Sequence, residues 1–353
     1  MAPHTWDERH GWSGILGTLT AGGDLDCEAA AAAMGEILEG NATPSQIAGF
    51  IVALRMKGET ADELTGLVSA MLERAVPVVL AEPEGVIDLV GTGGDRSHSI
   101  NVSTLAAFTV AGAGGRVCKH GNRAASSACG TADLLEALGV AFDLGPAGVA
   151  RCVEEAGMGF CFAPRYHGAM RHAGPTRKEL GVPTVFNFLG PLANPARVRR
   201  QVTGVADGAM AARMVGVLQA NGAERAMVVY GLDGLDELTT TAASVVHELR
   251  DGEVRTFEVD PLDLGIARAS LDDLRGGDAA TNASLARAVL AGEDGPHADI
   301  VALNAAAGLV VGGLADDLPA GLSLARAALA DGRAAAALDR LVTTSQAAAG
   351  EAG

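Results

Sequence analysis

The sequence predicts an α/β protein in two units. A small all-helical domain covers residues 1–80, joined by helices from about 165–200, and a large α/β domain with a mostly parallel sheet covers residues 81–353. Three observations lead there. Apolar residues recur at helical spacing from about Leu25 to Ala75, and from Val86 onward short apolar runs alternate with helical stretches. Aromatics make up only 3% of a 353-residue chain that is 48% hydrophobic, which favours close-packed helices and tight βα turns over an aromatic-rich sandwich. Strand–helix alternation over this length argues for a parallel sheet, and the chain is long enough to bury a substantial core.

Residues 1–12 are polar and mixed and read as a frayed start. Thr43-Pro44-Ser45-Gln46 combines an N-cap hydroxyl, proline at the first helical position and a Gln placed for a capping box. Ile47, Phe50, Ile51 and Leu54 follow on one helical face, and Gly58 stops that helix. Thr60-Ala61-Asp62-Glu63 starts the next, with Leu64, Leu67, Val68 and Met71 as its stripe. Beyond the link from Pro77 to Pro83, strands are predicted at Val86 to Val90, Arg116 to Lys119, Gly159 to Ala163, Thr184 to Asn187, Gln201 to Val205 and Arg225 to Tyr230. Helices fall at Thr131 to Leu138 and Ala209 to Asn221. The Ala-rich tail from Leu322 reads as helical, with a disordered end near 345–353. No internal repeat is visible.

Charge and segment patterns exclude several classes. A formal net charge of −17 repels nucleic acid overall. Neither a secretory signal nor an apolar run of membrane-spanning length is seen, so a cytoplasmic protein with no membrane partner is expected. The five cysteines, Cys27, Cys118, Cys129, Cys152 and Cys161, form no C-x-x-C pair and are expected to be small buried apolar residues.

The chemistry concentrates in three places. Gly91-Thr92-Gly93-Gly94-Asp95 follows a predicted strand and offers backbone N–H groups to an anion without Cβ atoms in the way. It fits neither G-x-G-x-x-G nor G-x-x-x-x-G-K-[ST]. Ser99, Asn101, Ser103, Thr104, Lys119 and Arg123 follow it, a hydroxyl, amide and cation set suited to a phosphorylated ligand. In open α/β sheets ligands bind at the carboxyl ends of strands, where Gly91 and Lys119 fall. Farther on, Asp236-Glu237 lie in a glycine-rich loop and suit Mg²⁺, which prefers oxygen ligands shared with phosphate. An acidic pair on a solvated loop is the plain alternative. Between them, Arg177 can hold a carboxylate bidentately, or be a helix-surface arginine, and Gly190, Pro191 and Pro195 can shape a hinge.

Taken together, the motifs GTGGD, NVST, KHGNRAASS, FNFLGPLANP and LDEL resemble those of the anthranilate phosphoribosyltransferases of the tryptophan pathway, over most of the chain. The resemblance implies a homodimer that binds phosphoribosyl pyrophosphate (PRPP) and anthranilate between a helical and an α/β domain. By position, Gly91, Gly94, Asp95, Ser99, Asn101, Val102, Ser103 and Thr104 match the family's PRPP site. Lys119, His120, Gly121, Asn122, Arg123, Ala124, Ala125, Ser126, Ser127 and Thr131 continue it. Ser103, Asp236 and Glu237 match the Mg²⁺ positions, and Gly91, Asn122 and Arg177 the anthranilate contacts, with His120 and His167 nearby. Thr131 stands where Ser is common, Ala128 and Cys129 replace more polar residues, Gly168 stands where Pro is usual, and Gly174 is unusual.

The implied reaction moves the 5-phosphoribosyl group of PRPP to the amino group of anthranilate and releases pyrophosphate. Positive charge builds on the ribose as the C1–O bond breaks, so the protein's task is positioning and stabilising the leaving group. Two alternatives remain: a pyrimidine nucleoside phosphorylase-like enzyme on the same fold, and a non-catalytic nucleic-acid-binding relative. The paired carboxylates suit a pyrophosphate leaving group better than the first, and the excess of acids leaves no general basic face for the second.

Overall fold

The computed structural model describes residues 11–95, 97–124 and 128–351. Helices α1 (Trp12–Thr20), α2 (Cys27–Glu39), α3 (Pro44–Lys57) and α4 (Ala61–Arg74) come first. Both anticipated capping boxes are made: Thr43 and Gln46 exchange side-chain and backbone bonds at the start of α3, and Thr60 and Glu63 do so at α4. Glu63 also accepts the Leu25 N–H and pairs with Lys57, so the cap is built into the packing of the helices.

The chain then runs β1 (Val86–Gly91), α5 (Val102–Gly112), β2 (Arg116–Gly121), α6 (Thr131–Ala137), α7 (Pro146–Ala156), β3 (Met158–Phe162), α8 (Ala163–Tyr166), α9 (Gly174–Leu180), α10 (Phe186–Leu192), β4 (Arg200–Gly204), α11 (Gly208–Ala220) and β5 (Arg225–Gly231). It ends with β6 (Ser244–Arg250), β7 (Glu253–Val259), α12 (Ala279–Leu290), α13 (Pro296–Gly312), α14 (Leu318–Ala330) and α15 (Arg333–Glu351). The seven strands lie in the order β3-β2-β1-β4-β5-β6-β7, with β3 through β5 parallel and β6 and β7 antiparallel. From β1 the chain winds first toward β3 and then restarts at β4 on β1's other side. That reversal puts a switch point between β1 and β4, where Gly91 pairs with Gly204.

Two apolar cores flank this arrangement. One packs the sheet against α5, α13 and α15, with Phe108, Leu303 and Leu338 buried in it. The other joins α1–α4 to α10, α11 and residues of β5, through Phe50, Leu67, Phe186, Leu189 and Met214. The segment 173–193 is therefore cemented to the N-terminal helices rather than to the first core.

Four sequence expectations change. Thr184 to Asn187 is not a strand: Val185 is helical and the Thr184 N–H bonds Asn187 Oδ1 at 3.0 Å, so the segment caps α10 instead of entering a ladder. The β6–β7 hairpin was not anticipated, although its turn, Asp251-Gly252 with φ of 54° and 80°, is the left-handed pair that a tight hairpin requires. The tail is helical through Glu351, because Ser345 and Ala348 are buried against the first core and Ser345 Oγ accepts the Ala141 N–H. Cys27 is exposed, while the other four cysteines are buried and free.

Candidate active site

The switch point is crowded with groups that only glycine admits. The carboxylate-bearing turn after β5 crosses the ends of β1 and β4 so closely that a Cβ on Gly204 would collide with the Asp236 carbonyl. One on Gly91 would lie 2.5 Å from Asp236 Oδ2. Gly93 and Gly94 take left-handed φ of 66° and 84°, which turns the Gly93 N–H onto Asp236 Oδ2 at 2.7 Å. Asp95 lies against Asp236. Glu237 accepts the Ser103 N–H at 3.2 Å, at the first turn of α5, where the positive end of the helix dipole favours an anion.

Lys119 runs inward from β2 and is fully buried. Its ammonium donates to the Leu89 carbonyl and to Ser103 Oγ, the latter at 3.1 Å. Burial lowers its pKa, and Asp88, Glu237 and Asp236 oppose that fall by attraction. Burial raises Asp236 to about 8 and Glu237 well above the usual carboxylate range, with neighbouring acids adding to each shift. A buried and a part-buried carboxylate that accept backbone N–H bonds and touch no cation among the described residues form a hard oxygen site that is incomplete without positive charge. No cluster of three His, Cys, Asp or Glu side chains able to cage a metal occurs among the described residues. An ion here would thus complete its shell from a ligand's oxygens, which is the habit of Mg²⁺ on phosphates.

The remaining predicted positions form the rim. Ser99 makes a bridge with Arg275, and its hydroxyl lies 3.1 Å from Ser97 Oγ. Asn101 donates to the Cys129 carbonyl and accepts from Asn282, and Val102 is buried beneath it. Thr104 and Thr131 bond through their hydroxyls at 3.3 Å, tying α5 to α6. Gly121, Asn122, Arg123 and Ala124 continue from β2. Arg123 is already occupied by Asp133 and Glu136, at 2.6 and 2.9 Å, and lies over the Phe142 ring. Ala125, Ser126 and Ser127 lie outside the described residues.

Across the cleft a cavity of 360 Å³ is lined by Met71, His120, Asn122, His167, Arg177 and Phe186, with Gly168 and Gly190 also on its wall. It therefore gathers Arg177, from α9, with Asn122, from the end of β2, and both histidines. The Arg177 guanidinium sits 5.1 Å above the Phe186 ring and pairs with no carboxylate among the described residues. Burial lowers its pKa. A half-desolvated arginine over an aromatic ring is ready for an anionic, planar ligand. Burial, and then His167, depress His120 to about 3, so its ring is neutral. A larger cavity, of 580 Å³, lies between β6–β7 and the start of α14, but it holds none of these groups and its Glu248 is spent on Arg255.

Two supports escaped the sequence reading. Asn304, on α13, clamps the carboxylate loop: it accepts the Leu238 N–H at 3.0 Å and donates to the Leu238 carbonyl at 2.8 Å. Asp88 accepts from His120 N at 3.1 Å and from Asn194 Nδ2 at 2.8 Å. An Asp in a strand otherwise made of Val, Ile and Leu was the available signal for the second.

The comparisons agree with this geometry. Residues 83–335 match the model of the glycosyl transferase family α/β domain, and residues 13–75 that of the same family's helical bundle domain. The anthranilate phosphoribosyltransferase of Salinispora arenicola is 53% identical over 95% of this chain and 97% of its own length. That of Rhodococcus jostii is 55% identical over 93% and 92%. Among solved structures, anthranilate phosphoribosyltransferase from Thermus thermophilus superposes with a TM-score of 0.88 at 42% identity, covering 94% of this chain and 99% of that one. The enzyme from Saccharomyces cerevisiae in complex with PRPP and Mg gives 0.85 at 25%, over 96% and 100%.

Proposed function

The chain belongs to the anthranilate phosphoribosyltransferase family, and from that premise we propose how its cleft performs the transfer of the 5-phosphoribosyl group from PRPP to the amino group of anthranilate. The observation that carries the reading is the pairing of two unlike half-sites. A buried lysine beside carboxylates and a glycine turn suits phosphates, and a cavity where Arg177 meets no carboxylate among the described residues suits a planar carboxylate.

PRPP would lie along Gly91, Gly94, Asp95, Ser99, Asn101–Thr104, Lys119–Ser127 and Thr131. The glycine turn, which leaves room for close approach, and the positive end of the α5 dipole meet phosphate oxygens there. Ser103, Asp236 and Glu237 would hold Mg²⁺, which when bound would supply positive charge to a departing pyrophosphate. Lys119 offers the same oxygens a fixed cation in a dry site, where its charge acts more strongly than in water. Anthranilate enters the 360 Å³ cavity with its carboxylate on Arg177 and its ring by Phe186 and Asn122. Its aromatic amine is neutral near pH 7 and needs no strong base, so these residues act by holding amine and ribose carbon together.

No helix among the described residues is long and apolar enough to cross a membrane. Assembly as a homodimer is supported by an apolar groove on α1 and α3 lined by Leu19, Val52, Ala53 and Met56, the last 84% exposed. The experiment is turnover: purified protein with anthranilate must consume it only when both PRPP and Mg²⁺ are present. Consumption without PRPP, or none at all from folded protein, refutes the reading.

A further inference from the structure

Buried side chains from three elements hold the chain segment that closes the acceptor cavity. His120 Nδ1 donates to the Gly190 carbonyl at 3.0 Å, Gln201 Nε2 to that of Pro191 at 2.6 Å, and His167 Nε2 to that of Ala193 at 2.8 Å. The segment needs such partners, because the last carbonyls of a helix have no intrahelical N–H to accept from, and Gly190, Pro191 and Ala193 lie at the end of α10. Asn194 ends the run. Its amide donates to Asp88 Oδ2 at 2.8 Å and to the Cys118 carbonyl at 2.9 Å, while its own oxygen accepts the Ala196 N–H at 2.9 Å.

Asp88 sits mid-strand in β1, fully buried, and no ion pair touches it among the described residues. A buried carboxylate without a touching cation costs stability compared with an apolar residue of similar size. Packing alone therefore does not explain it. Its two oxygens reach two separate strips of chain. Oδ1 takes the His120 N–H, one residue from Lys119, and Oδ2 takes Asn194, at the end of the segment that carries Phe186 and Gly190 into the cavity wall.

We infer that Asp88 is a positioning residue: by bridging the His120 backbone and the Asn194 amide, it sets the acceptor wall in register with the strand that carries Lys119. It touches neither substrate. The inference rests on the transferase reading, since register between the half-sites matters only if an amine on one side must reach a ribose carbon on the other.

Three variants test it. Asn194→Ala leaves the Asp88 charge, Lys119 and the cavity lining in place. Its kcat/KM for anthranilate should fall about tenfold, the size of one hydrogen bond to a charged group, while KM for PRPP moves less than about threefold. Asp88→Asn sets N–H against N–H on one of the two bonds and should lose at least as much. Adding Asn194→Ala to Asp88→Asn removes the opposed N–H group, so the double variant should lose no more than Asp88→Asn alone. All are assayed below their unfolding transitions. Unchanged kinetic constants in folded Asn194→Ala, or losses that simply add in the double variant, overturn the inference, as does a loss confined to PRPP. If Asp88→Asn does not fold, Asn194→Ala decides. Wild-type protein without turnover would instead refute the transferase reading. The register is then read from the rise in unfolding temperature that anthranilate causes beside PRPP and Mg²⁺, which Asn194→Ala should diminish and whose persistence would count against Asp88.

Discussion

Replacing Asn304 by alanine should disable the carboxylate loop from outside the active site. Asn304 is buried on α13 and touches no predicted ligand position, yet its amide makes both bonds to the Leu238 backbone. Its third bond, to the Ile300 carbonyl at 2.9 Å, adds to an acceptor that the helix already uses, so its loss is minor. Alanine leaves the Leu238 N–H and C=O unsatisfied. Each such buried group costs about 1–3 kcal/mol, and water entering the space left by the amide lowers the sum to about 2–4 kcal/mol. Because Leu238 directly follows Asp236 and Glu237, part of that cost appears as displacement of the carboxylates from the Gly93 and Ser103 N–H groups. Urea unfolding should show the destabilisation, and turnover against Mg²⁺ concentration should shift to higher metal. A loss under about 0.5 kcal/mol with an unchanged Mg²⁺ curve would refute the argument, since it would mean that the loop holds its shape without the clamp.

Further outcomes follow from the same geometry. Arg177→Ala should raise KM for anthranilate about 10- to 150-fold, equivalent to about 1.5–3 kcal/mol for a charged hydrogen bond, with PRPP constants little changed; equal losses for both substrates would remove its role as carboxylate clamp. Asp236→Asn with Glu237→Gln should move the Mg²⁺ dependence of turnover, and an unaltered titration would take those side chains out of the metal site. His120 is held neutral in the fold with its pKa near 3, whereas an unfolded histidine takes a proton near pH 6.5. Its contribution to stability is therefore complete above pH 6.5 and lost as pH falls below it, at about 1.4 kcal/mol per pH unit. His120→Asn should flatten urea stability between pH 6 and 5 by about that slope, and an unchanged slope would contradict a neutral buried ring. Met56→Glu should halve the mass seen by light scattering if the α1–α3 groove is the dimer face; an intact dimer would place the interface elsewhere.

Local signals made much of this molecule legible. The capping boxes at Thr43 and Thr60, the glycine turn after β1 and the strand–helix alternation act over a few residues, and each has its expected form. What stayed hidden depends on contacts between distant segments. The TVFN run of residues 184–187 has strand composition, but its backbone is claimed by a capping bond and by the packing of Phe186 and Leu189 on the N-terminal helices. The tail reads as disordered only from about 345, yet Ser345 finds the Ala141 N–H 204 residues away. The same holds within the site. Candidate residues marked by type, such as Lys119 and Asp236, meet at the switch point, whereas the supporting bonds of Asn304, Asp88 and Asn194 are visible only once the chain brings them to Leu238 and His120. A polar residue inside an apolar run, as Asp88 is in β1, is the one trace such supports leave in sequence.

Anthranilate fluorescence followed over time, with purified protein and with PRPP and Mg²⁺ added singly and together, tests the central claim most directly. The account predicts that fluorescence falls only when both are present, and that Arg177→Ala slows the fall at low anthranilate while recovering at high. Steady fluorescence from folded protein, or decay that ignores PRPP or the metal, would contradict it.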